Sequence, residues 1–151
     1  MLRDDINNAL KQAMKAHDER RVSTLRLINS ALKNADIEAR GQSKGPLSDE
    51  ELLGLLQKMI KQRQESVELY EKGERPELAA KEREEIAIIA AYLPKQMSET
   101  EALAAIAAVI KDVGASSMKD MGKVMAALKE RHAGEMDFSK ASGTVKGLLS
   151  K

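Results

Sequence analysis

The sequence contains no cysteine and no tryptophan, and only one phenylalanine, two tyrosines and three prolines. Without cysteine there can be no disulfide, no thiol nucleophile and no Cys-ligated metal. That composition suits a cytoplasmic protein. With so few aromatics the core has to be built from Leu, Ile, Val, Ala and Met, and eight methionines point to adaptable packing. No apolar run approaches the ~20 residues that cross a bilayer. The opening Met1-Leu-Arg-Asp-Asp is charged and amphipathic, unlike a secretory leader. A net charge of +1 also excludes a strongly basic protein that coats polyanions.

What the chain does have is helical periodicity from end to end. Leu2, Ile6, Leu10 and Met14 line one face of a first helix, and Val22, Leu25, Ile28, Leu32 and Ala35 line a second that Asp18 can cap. A Gly/Pro loop, Gly41 to Leu47, follows. Ser48 and Glu51 form a capping-box pattern opening a long helix. Its seam is Leu52, Leu55, Leu56, Met59, Ile60, Val67 and Tyr70, and it stops near Gly73. Pro76 suits the first turn of a fourth helix ending before Leu93-Pro94. Ser98 and Glu101 repeat the capping box, before a helix with Leu103, Ile106, Ala107, Ile110 and Val113 inward and a stop at Gly114. Ser117 opens a helix with Met121, Val124, Met125 and Leu128 inward, which Gly134 ends. Asp137 caps the last, with Ala141, Val145, Leu148 and Leu149 inward. No stretch reads as a strand. The expectation is an all-α chain: an N-terminal four-helix domain, residues 1–93, followed by a small C-terminal three-helix bundle, residues 94–151.

Side chains able to do covalent chemistry are sparse. His17 and His132 fall in different expected domains, and neither has a second histidine at ligand spacing. Glu82, Glu84 and Glu85 beside Lys81 and Arg83 read as a solvated helix face with i,i+4 support. Gly143-Thr-Val-Lys-Gly147 lacks phosphate-loop spacing and lies inside a helical pattern. No catalytic residue, metal site or cofactor is expected.

Charge is unevenly placed. Residues 94–151 hold 9 basic and 7 acidic side chains, and from Lys119 onward there are 7 and 4. On a helical wheel beginning at Ser117, Lys119, Lys123 and Glu130 fall opposite the apolar face, with Gly122 flanking the core. Lysines beside a helix start, together with its free N–H groups, make a surface that can take phosphates. The same pattern also fits a solvated face whose glycine serves close helix packing. A second basic cluster, Lys15, Arg20, Arg21, Arg26 and Lys33 against Asp18 and Glu19, surrounds the second helix. It fits either phosphate contacts or the ordinary charged face of an amphipathic helix.

Four pieces of the chain, Arg20-Arg-Val-Ser-Thr-Leu-Arg-Leu-Ile, Tyr92-Leu-Pro-Lys-Gln-Met-Ser, Met121-Gly-Lys-Val-Met and Gly134-x-x-Asp137, resemble the YqeY family in the same order over the whole length. The C-terminal half of that family is similar to the tail domain of the B subunit of the tRNA-dependent amidotransferase, and related modules occur attached to a tRNA synthetase. The resemblance implies an all-helical two-domain fold and a non-catalytic accessory module that binds tRNA. Residue by residue it rests on Gly122, Lys123, Val124, Met125, Gly134 and Asp137. It marks Gly122 and Lys123 as RNA-binding candidates, and the charge pattern adds Lys119 to them. With few aromatics to stack on bases, contacts should go to backbone and shape.

Two other readings stand beside this one. A helical adaptor would bind a protein partner, with Gln57, Lys61, Gln64 and Glu68 of the long helix presented to it. An amidotransferase-type carbon–nitrogen ligase would match a term that the family label carries. The chain lacks the kinase-like catalytic body of the B subunit, a Cys nucleophile and a phosphate loop.

Overall fold

A computed structural model describes residues 2–150, so Met1 and Lys151, the outermost residues of the two expected domains, lie outside the described residues. Seven α-helices and one 3-10 turn make up the regular structure of those residues. The order is α1 (Leu2–Lys15), α2 (Glu19–Gly41), α3 (Asp49–Lys72), α4 (Pro76–Ala90), α5 (Glu99–Val113), the turn Met118–Asp120, α6 (Met121–Arg131) and α7 (Phe138–Leu149). The chain is all-α, as its periodicity requires. It divides into two compact units, one ending at Pro94 and the other beginning at Lys95.

Local chemistry explains where the helices begin. Asp18 accepts the N–H of Arg21, and Ser48 and Ser98 each complete a reciprocal capping box with Glu51 and Glu101. Each satisfies backbone donors that a first turn otherwise leaves free. Pro76 occupies the first turn of α4, where a missing N–H costs nothing. Gly114 ends α5 at φ 67, the left-handed region glycine enters without strain. Gly73 also ends its helix, but at φ −84, and the positive φ there is carried by Glu74.

In the first unit, Ile6 and Ala13 of α1, Leu25, Ile28 and Leu32 of α2, Leu52, Leu56 and Met59 of α3 and Ile89 of α4 form one core. At ~1.5 Å per residue the 24-residue α3 is about 36 Å long. The short Gly73–Arg75 connection folds α4 back against it. Met14, expected inward, is exposed, and Ala13 takes the buried place.

In the charged stretch of α4, Lys81, Arg83 and Glu84 are exposed as the sequence suggests, but Glu82 is half-buried and Glu85 is not solvated. Glu85 is buried, with 7% of its surface exposed, and accepts Nε of Arg63 on α3 at 3.0 Å. Glu84 pairs with Arg20 of α2, and Arg83 with Glu71 of α3. Only the Arg63–Glu85 pair lies between packed helices; the other two bridge exposed rims.

Thr24 is fully buried in α2, and its Oγ1 has no hydrogen-bond partner among the described residues. A buried hydroxyl left unpaired costs about 1–3 kcal/mol. Thr24→Val keeps the shape and removes that cost, so it should stabilise this unit by about 1 kcal/mol. Tyr70 and Tyr92, the chain's two tyrosines, both lie in this unit, so urea unfolding followed by tyrosine emission reports it alone. A lower midpoint in the valine variant would mean the hydroxyl is engaged after all.

In the second unit, Ile106 and Val109 of α5, Val124 and Leu128 of α6, Met136, and Ala141, Val145 and Leu149 of α7 form a separate core. Leu103, expected inward, is 51% exposed, and Ala107 is exposed as well. The buried stripe of α5 is rotated one step, so Val109 fills the place those two were assigned. Leu148 is likewise exposed, at the rim of the α7 stripe.

Candidate nucleic-acid interface

The three candidate positions come together at the start of α6. The helix opens later than Ser117. A 3-10 turn covers Met118–Asp120, and the α-helix begins at Met121. The Asp120 carboxylate accepts the backbone N–H groups of Ser116, at 2.9 Å, and Ser117, at 3.3 Å. Those two bonds hold its pKa below the usual carboxylate range, with a smaller contribution from the Lys123 charge. The Asp120 carboxylate thus fixes the turn, with Ser117 at its N-cap.

Lys119 sits in that turn, and Gly122 and Lys123 sit in the first turn of α6, all three exposed. No carboxylate among the described residues lies within ion-pair distance of either lysine. A Cβ built on Gly122 would meet nothing within 4 Å. Among the described residues of its unit, this glycine therefore serves no close helix packing. Gly143 and Gly147, within α7, are equally open.

The other motif positions have structural work. Val124 is fully buried and Met125 packs against the second core. Gly134 takes φ 75, and its carbonyl accepts the Gln96 side-chain amide at 2.6 Å. The N–H of Met97 bonds the carbonyl of Glu135 at 2.8 Å, fastening the same turn to the segment before α5. Asp137 accepts the N–H groups of Ser139 and Lys140 and so caps α7. Gly122 and Lys123 are left as the two motif positions that the fold itself does not require.

The Yqey-like protein family matches residues 3–149. The chain belongs to that family. Among named relatives it is 38% identical over 84 residues to altered inheritance of mitochondria protein 41, mitochondrial, of Vanderwaltozyma polyspora, covering 56% of this chain and 44% of that protein. The protein of the same name from Lachancea thermotolerans is 37% identical over 98 residues, 65% of this chain and 51% of that one. The Eremothecium gossypii protein is 34% identical over 84 residues. The chain thus spans about half the length of the curated relatives it matches.

The remaining candidates do not converge. His17, at φ 55, lies exposed in the α1–α2 connection, whereas His132 follows α6 with Nδ1 2.9 Å from Glu135 Oε2. No group of three His, Asp or Glu side chains among the described residues is placed to hold a metal ion. On α3, Lys61, Gln64 and Glu68 are exposed and Gln57 is half-buried. No helix among the described residues is long and apolar enough to cross a membrane.

Proposed function

We propose that this Yqey-like protein is a non-catalytic accessory module that binds tRNA through the start of α6. The reading is supported above all by the sorting of the family motif. Its buried and capping positions are accounted for by the fold, whereas Gly122 and Lys123 are exposed and unused. An exposed glycine without a packing partner lets a ligand backbone come close. Lys119 and Lys123 offer it two unpaired cations, beside the N–H groups of a helix start. The similarity of the C-terminal half to the amidotransferase tail makes tRNA the ligand of choice, and a cysteine-free chain suits a cytoplasmic setting.

A salt titration of tRNA binding tests the reading. Affinity should fall with salt at a slope of a few units, and Lys119→Ala/Lys123→Ala should lower both the slope, by about 2, and the affinity, by about tenfold. Gly122→Ala separates function from stability. It should stabilise the helix by up to about 1 kcal/mol, because its methyl meets open space, and yet weaken tRNA binding. No binding by the unaltered chain at low salt, or binding indifferent to all three positions, would refute the assignment.

A further inference from the structure

The outer face of α2 has no role in either core or in the RNA contact. Ser23, Leu27, Ser30, Asn34, Ile37 and Gly41 follow one another at alternating steps of four and three, and every one is exposed. That is the spacing with which one helix presents a seam to another. Its apolar members stand well out, Leu27 at 44% and Ile37 at 62% exposed, and serine and glycine leave room between them. Directly beside the seam run Arg26, Lys33 and Arg40, seven residues or roughly 10.5 Å apart, all exposed. Among the described residues none of the three is within ion-pair distance of a carboxylate. Of the acids of α2, Glu19 begins the same row, seven residues before Arg26, whereas Asp36 is bound to Arg3 and Glu38 lies on the opposite flank. Near the start of α2, the end of α1 deepens the seam into an open groove of about 580 Å³, with Met14, Val22 and Leu27 as apolar lining and both Glu19 and Arg26 on its wall.

We propose that this face docks an amphipathic helix of a protein partner whose carboxylates recur every seven residues. An apolar stripe between small side chains fits a helix, and a cation at each heptad step selects a partner with an acid at each step. A second copy of the chain fits poorly. Antiparallel, the register that brings Glu19 to Arg40 also sets Arg26 against Lys33, and parallel, only Lys33 would find an acid, Glu38. A nucleic-acid backbone would satisfy the cations but leave Leu27 and Ile37 facing phosphate and sugar.

The full chain, titrated into a fluorescent synthetic helix of about three heptads with leucine at the seam and glutamate at the flanking positions, tests this by anisotropy. Saturable binding is expected, weakened about tenfold or more by Arg26→Glu/Lys33→Glu and likewise by Ile37→Asp. Both changes are at exposed positions, and circular dichroism checks that helix content is kept. The decisive arm is the charge swap. A helix with lysine in place of glutamate should bind Arg26→Glu/Lys33→Glu and not the unaltered chain. Lys119→Ala/Lys123→Ala should leave peptide binding intact, which keeps this surface separate from the tRNA reading. The proposal is overturned if the acidic helix does not bind, or binds the charge-reversed variant equally well. It is overturned too if Arg26→Glu/Lys33→Glu loses tRNA binding while peptide binding is unchanged, for the row of cations would then belong to RNA.

Discussion

Replacing Arg63 by methionine should cost the first unit about 3 kcal/mol, the larger part of what a small domain has to spare. Arg63 bridges α3 and α4. Its Nε donates to Glu85 at 3.0 Å, its Nη1 donates to the Met59 carbonyl at 3.1 Å, and Glu82 lies 4.0 Å away. Only 14% of the Arg63 side chain and 9% of the Glu85 side chain meet solvent. Taking Arg63 away strands the Glu85 carboxylate in a poorly hydrated place, and that desolvation, more than the lost attraction, sets the cost. The expected signature is a tyrosine-monitored unfolding midpoint lower by more than about 10 °C. Arg63→Met/Glu85→Leu should come back to within about 1 kcal/mol of the unaltered protein, since a well-packed apolar pair replaces a buried ion pair at little cost. The cycle of single and double variants isolates the coupling. If the double variant is as unstable as the single one, the stranded charge is not the cause.

That pair also marks the border of what the sequence discloses. Helix order, both capping boxes, the Asp18 and Asp137 caps and the Gly114 and Gly134 turns are legible because each depends on side chains within four residues of one another. Leu103 and Met14 are misassigned because the wheel fixes a face to about one residue, and which edge of the stripe is covered depends on the neighbouring helix. Glu85 is read as solvated because its neighbours in sequence are charged. Its partner lies 22 residues earlier. A signal was present: Arg63 continues the buried spacing of Leu56 and Met59, and Glu85 lies four residues before Ile89. A lone charge in an apolar seam calls for a partner across the interface. At the candidate interface, the residue types are legible and the open space beside Gly122 is not, because only the packing of α5, α6 and α7 shows that neither α5 nor α7 approaches it.

A second large effect should appear as a pH dependence. Asp36, near the end of α2, accepts Nη1 and Nη2 of Arg3 at 2.7 Å each and the Leu47 N–H at 3.1 Å. Arg3 also donates to the Leu47 carbonyl at 3.2 Å. One carboxylate thereby joins the start of α1, the end of α2 and the loop leading into α3. The Arg3 guanidinium, and after it the Leu47 N–H, lowers the Asp36 pKa to about 2, against an ordinary value of about 3.9. A folded pKa below the unfolded one means the unfolded chain binds the proton more tightly. The stabilisation is therefore complete above about pH 4 and drains away as the pH falls toward 2. Asp36→Asn cannot titrate and loses the charge-assisted fork, so at neutral pH it should be less stable by about 2 kcal/mol. The two side chains are 29% and 24% exposed, enough cover for the fork to survive moderate salt. Urea titrations of both proteins at stepped pH should show the difference between them shrinking from pH 4 downward, and nearly gone near pH 2. A difference that stays constant through that window would place the contribution of Asp36 in the geometry of the loop and not in its charge.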